Sequence, residues 1–174
     1  MAMVAGGPAR AVRGIADVAG SDHADGVPTV LGEMPFPCRV CGAREGERSK
    51  ASEPWCCARC GWRLGDAPDA DLPRPVVEVV YYLRYAARVK IGTSTRPKQR
   101  LAAIRHDELL AFERGGRAVE QARHREFGDL REGGEWFTLD GALVTHIQAL
   151  RAAASDPWAA YDRWLGDALR AASS

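Results

Sequence analysis

"VVEVVYYLRYAARVKIGT", residues 76–93, is the stretch from which the rest of the chain can be read. Apart from Glu78, Leu83 and Arg84, its first ten residues are β-branched or aromatic, the composition of a strand. A short turn at Ala86 and Ala87 leads to a second strand, "RVKIGT" (88–93). In a hairpin whose loop has an even number of residues, positions facing each other have numbers that sum to an odd value. Tyr81 and Lys90 therefore share one face of the sheet. Tyr82 points to the other face and is expected in the core.

Working downstream, Thr95 is placed to cap a helix with Pro97 in its first turn, continuing through "KQRLAAIRH". "LLAFERG" (109–115) fits a third strand stopped by Gly115 and Gly116, and "AVEQARHREF" (118–127) has helical spacing. "GALVTHIQALRAAA" (141–154) is an amphipathic helix, and another begins after Asp156-Pro157. This order predicts an α+β domain over 76–150, a small three-stranded antiparallel sheet flanked by helices, with a helical extension at 151–174.

Upstream, "GDAPDADLPRP" (65–75) carries three prolines and three aspartates, so 67–75 reads as a linker. Residues 36–66 hold all five cysteines. Cys38-x2-Cys41 and Cys57-x2-Cys60, fifteen residues apart, have the spacing of a four-cysteine zinc ribbon. So short a segment buries too little apolar surface to fold alone, and a structural Zn2+ would supply its stability. Cys56 is left over. Residues 1–35, rich in Gly, Ala and Pro, are expected to be a flexible tail.

Charge narrows the partners. The 174 residues carry a formal net charge of +1, but Val76 to Arg105 holds seven Lys/Arg against one acid, giving 7 − 1 = +6. That region has the field for a polyanion. No apolar run reaches the roughly 18 residues of a membrane span, and Arg10, Arg13 and Asp17 interrupt the N-terminus where a secretion signal would be apolar. The expected location is cytoplasmic, with no membrane partner.

Beside Tyr81 and Lys90, Arg100 lies on the next helix and Glu120 on the one after. A phenol, two cations and a carboxylate are what metal-assisted phosphodiester hydrolysis needs. "VVYYLRYAARVKIGTSTRPKQRL", "RAVEQARHREF" and "GEWF", in this order over about residues 79–140, resemble the GIY-YIG nuclease superfamily. The nearest branch is the one named for a phage DNA-binding open reading frame and a fungal meiotically up-regulated gene. Val79-Val80-Tyr81 then stands for the family's first triplet and Lys90-Ile91-Gly92 for its second, with Val79 in place of glycine and Lys90 in place of tyrosine.

The resemblance implies Tyr81 as general base, Arg100 on the scissile phosphate, and Glu120 holding a single divalent ion, Mg2+ or Mn2+. His124 would support Glu120 or donate to phosphate. Arg88, Arg96, Lys98 and Arg105 form the DNA-binding set. Trp136 and Phe137 are expected in the core and Glu135 in the supporting turn, while His106 and His146 have no evident partner. The alternatives to a metal-dependent DNA endonuclease are a DNA-binding module on the same fold that does not cut, and a zinc-ribbon adaptor for a protein partner.

Overall fold

The computed structural model describes residues 29–68, 70, 71 and 73–173. Most of the expected tail lies outside them, but its last residues are ordered into a sheet. Strand β1 (Val30–Glu33) pairs antiparallel with β2 (Glu45–Arg48), which pairs with β3 (Cys56–Cys57). "VLGE" shows no alternation, because its pairing is carried by the backbone rather than by a buried stripe. Met34, Cys38, Cys57, Cys60 and Trp62 make the small core of this unit.

The second unit is a five-stranded sheet, two strands more than expected. β4 (Val79–Tyr85), β5 (Arg88–Ser94) and β6 (Glu108–Arg114) are the three strands read from the sequence. β7 (Arg131–Gly133) and β8 (Trp136–Thr138) form a short hairpin added at the β5 edge, giving the order β6-β4-β5-β8-β7. Three-residue strands have too little pattern to register in a sequence. Among the described residues, no helix is long and apolar enough to cross a membrane.

The β4–β5 hairpin places Tyr81 opposite Gly92 and Leu83 opposite Lys90, so Tyr81 and Lys90 do share a face. Both faces of β4 are covered, which explains why its sequence is apolar almost throughout. On one face Val80, Tyr82, Val89 and Ile91 pack with Phe127, Leu143 and Ile147, from and beside α2 (Arg117–Glu126) and α3 (Gly141–Ala153). On the other, Val79, Tyr81, Leu83 and Phe112 meet Leu101 of α1 (Pro97–Ala102) and the aromatic stripe of α4 (Pro157–Ala172). Thr95 does not cap α1. The N-cap is Arg96, whose N–H is accepted by Ser94 Oγ at 3.0 Å.

α4 serves two cores at once. Trp158, Tyr161, Leu165 and Ala168 face the sheet, whereas Leu169 packs with the cysteine unit. Asp162, only 4% exposed, accepts from Arg59 Nε at 2.6 Å. Gly166 sits so close to the Cys60 carbonyl that a Cβ there would lie 2.4 Å from it. The helix read as a terminal extension is thus the strut between the two units.

Two histidines expected to lack a partner have one. Tyr82 is buried as expected, but its hydroxyl donates to Glu113 (2.7 Å) and lies 3.0 Å from His146 Nε2, so His146 does have partners. His106 also has one: its Nδ1 lies 2.7 Å from the Ile104 carbonyl. Burial pushes the Glu113 carboxyl up, but hydrogen bonds from Arg123 (2.6 Å) and Tyr82 outweigh it and hold it below its ordinary value. A depressed carboxylate stabilises the fold above its unfolded pKa of about 4.3, and that contribution fades as pH falls through the lower folded value. Urea denaturation should therefore show Glu113→Gln less stable than wild type at pH 7, with the gap closing below about pH 4.

Candidate active site

β8 covers only half of the β5 edge. Its ladder pairs Arg88 with Thr138, Val89 with Phe137 and Lys90 with Trp136, then ends. The Ile91 N–H donates to the Glu135 carbonyl (3.0 Å), and the Ile91 carbonyl lies 3.0 Å from His124 Nε2 on α2. Beyond this point, from Gly92 to Ser94, β8 does not pair with the strand, and Tyr81, across from Gly92, is 1% exposed.

Tyr81 reaches this edge across Gly92. A Cβ at Gly92 would lie 2.4 Å from the Tyr81 hydroxyl and 2.6 Å from the ring carbon that bears it, so only glycine lets the ring lie flat there. Arg100, exposed on α1, adjoins the same oxygen. Hydrogen bonding to Tyr81, then the charge of that oxygen when ionised, raises the Arg100 pKa. A cation therefore stands beside the phenolic oxygen.

On α2, His124 is anchored by Ile91 and packs its ring on Phe137 at 5.1 Å. With Nε2 donating to a backbone carbonyl, His124 positions the helix rather than reaching out to phosphate through that nitrogen. Glu120 lies one turn earlier on the same helix face. It is 7% exposed yet makes no side-chain hydrogen bond or ion pair among the described residues. Its oxygens must reach the surface, since no fully buried side-chain oxygen or nitrogen lacks a partner among the described residues. That suits a divalent ion held by one carboxylate, water and substrate oxygens.

Lys90 is also engaged. Its Nζ pairs with Glu135 Oε2 at 2.5 Å and lies 5.7 Å from the Trp136 ring centre. Glu135 thus does more than shape the turn. Phe137 is fully buried as expected, but Trp136 is only half-buried and belongs to a cleft. That cleft, about 450 Å3, is lined by Tyr85, Arg88, Lys90, Arg100, Arg105 and Trp136. Arg96 and Lys98 stand exposed at the start of α1, outside it. Tyr85 went unnoticed in the sequence, though the hairpin parity that joins Tyr81 to Lys90 also puts Tyr85 on that face, opposite Arg88.

This basic, aromatic-lined edge invites comparison with known proteins. Residues 78–154 match the T5orf172 domain. The match runs from just before β4 to the end of α3 and supports a nuclease-like or DNA-binding role for this part of the chain. It leaves out the cysteine unit and α4. No curated protein and no solved structure gave a match.

The matched region is preceded by a group fit for a metal. The Sγ atoms of Cys38, Cys41, Cys57 and Cys60 all lie within 4.8 Å of one another, with Cys38–Cys60 and Cys41–Cys57 at 3.5 Å. Tetrahedral zinc with Zn–S bonds of about 2.3 Å needs sulfurs about 3.8 Å apart, so the four could hold one structural zinc. Burial pushes the Cys41 thiol up to about 12 and raises Cys60 also, while at Cys38 burial is outweighed by backbone hydrogen bonds that lower it, so ionised sulfur at Cys41 and Cys60 calls for a metal's charge. Cys56 stays outside the group.

Two outcomes are expected. Gly92→Ala should cost about 1–3 kcal/mol in chemical denaturation through overpacking, and a double-mutant cycle with Tyr81→Ala should recover most of it. Cys60→Ser should take zinc below one per chain by elemental analysis and open the α4 contact to limited proteolysis. Zinc-free protein that melts and digests like the loaded form would contradict the metal's structural role.

Proposed function

We propose that the chain is a metal-dependent DNA endonuclease with a GIY-YIG-type site of Tyr81, Lys90, Arg100 and Glu120. The observation that carries this reading is the Tyr81 phenol lying over Gly92 with the Arg100 guanidinium beside it, on a strand whose Ile91 carbonyl is bound by the helix that carries Glu120. Binding alone has no use for that carboxylate. The +6 charge of residues 76–105 supplies attraction for a phosphate backbone.

In this reading Glu120 would hold one Mg2+ or Mn2+, which would supply Lewis-acid stabilisation of charge on the phosphate oxygens. The Tyr81 oxygen, beside the Arg100 cation, orients the attacking water and serves as its general base. Water oxygen bonds to phosphorus as the bond to the leaving sugar oxygen breaks, its electron pair staying on that oxygen, which takes a proton from solvent. Arg100 offsets the charge that grows on the non-bridging oxygens. Lys90, paired with Glu135, keeps a second cation next to the phosphate, and His124 fixes the helix that presents Glu120. Arg88, Arg96, Lys98 and Arg105 extend the cationic surface along the strand.

A second reading, a DNA-binding module that does not cut, draws on the Lys90–Glu135 pair, since Lys90 replaces a phenol and part of its charge is already matched.

A plasmid-nicking assay with Mg2+ or Mn2+ tests the choice. Glu120→Ala should abolish cleavage and keep most DNA binding, because it removes the ion's ligand but leaves the cations. Arg100→Ala should slow cleavage at least ~100-fold, the scale for one preorganised charge at a developing oxyanion. Tyr81→Phe should lose rate without losing fold. Full cleavage by the Glu120 and Tyr81 variants would place the activity elsewhere, and no cleavage by wild type on duplex, branched or single-stranded DNA would favour the binding module.

A further inference from the structure

We propose that the cleft beside Tyr81 binds one unpaired nucleobase of a DNA strand on Trp136 and Tyr85, with the flanking phosphates on Arg88 and Arg105. The proposal deepens the DNA-directed reading above and rests on it. Its starting point is the row Leu83, Lys90, Trp136 across β4, β5 and β8, which sets the indole on the Tyr81 face rather than in the core. Tyr85 meets Trp136 edge to face, their ring centres 6.3 Å apart. Each ring carries a guanidinium: Arg88 lies 5.0 Å over the Trp136 centre, and Arg105 lies 5.4 Å over that of Tyr85. Two aromatic–cation pairs thus stand side by side in one open cleft.

Aromatic rings between backbone-binding cations form the recurring surface for single-stranded nucleic acid, because every base offers a π-face and every linkage a phosphate. A paired duplex conceals its base faces, so this shelf has little to offer it beyond charge. Arg88, Lys90, Arg100 and Arg105 outnumber Glu135 and Glu132, the acids that pair with Lys90 and Arg88, which favours a polyanion over a neutral or basic peptide. Arg100 lines both the cleft and the Tyr81 site. The stacked base therefore lies close along the strand to the phosphate at Tyr81, and the preferred substrate has an unpaired strand at that point.

Binding without divalent metal tests this apart from cleavage. Fluorescence anisotropy compares a short oligothymidylate with a sugar-phosphate chain of equal length and charge that lacks bases. Wild type should bind the base-bearing chain about 10-fold or more tightly, the scale for one stacked base. Trp136→Ala should erase most of that preference and leave the salt dependence in place, while Trp136→Phe, which keeps a ring on β8, should restore it. Equal affinity of wild type for the two chains, or a preference that survives combined Trp136→Ala and Tyr85→Ala, would overturn the proposal. So would thymidine monophosphate that competes as well as the strand, which would mark a free-nucleotide site. Because the readout needs no metal, a protein that stacks bases without cutting would sink only the endonuclease reading. One that cuts with no base preference would sink only this inference.

Discussion

A two-residue turn at Ala86 and Ala87 locks β4 against β5, with Tyr81 across from Gly92, Leu83 from Lys90 and Tyr85 from Arg88. Side chains alternate along a strand, so a slip of one residue would send Tyr81 under α3 and bring Tyr82 to the open edge. The turn is built from alanines, and Ala86 takes a left-handed φ of 53° that costs an L-residue about 1–2 kcal/mol. Asp107 offsets part of this by accepting the Ala86 N–H at 2.8 Å, just before β6 pairs with the far side of β4. The register is thus held from three sides: the turn, the neighbouring strand, and the two apolar faces.

Given that register, the site follows from what β8 leaves uncovered. Its pairing stops at Lys90, so beyond it β5 offers the Ile91 carbonyl to His124 of α2 and the bare Gly92 to the buried phenol of Tyr81. Two chemically distinct zones result on neighbouring stretches of one strand. At Gly92 the Tyr81 phenol lies over the strand, and from Lys90 back to Arg88 the surface is aromatic and cationic.

Hairpin parity alone was enough to unite Tyr81 with Lys90 in the sequence, because strand periodicity is independent of tertiary detail. The four-cysteine spacing was equally readable, since sulfur geometry around a metal constrains chain spacing directly. Trp136 was misread because "GEWF" offers no parity reference until its strand is known to pair with β5. Glu113 and His146 escaped notice because their partners, Tyr82 and Arg123, come from separate elements. Capping at Thr95 failed for a local reason: Ser94 already satisfies the N–H that precedes Pro97.

α4 carries an implication for where this molecule can be divided. The domain match ends at residue 154, yet the Tyr81 face of the sheet is closed by Trp158, Tyr161 and Leu165 beyond it. The same helix lays Gly166 against Cys60 and Asp162 against Arg59. A boundary drawn from sequence similarity would therefore run through a hydrophobic core. The unit of inheritance is shorter than the unit of folding, and metal held by the cysteines is linked through one helix to the sheet that carries the site.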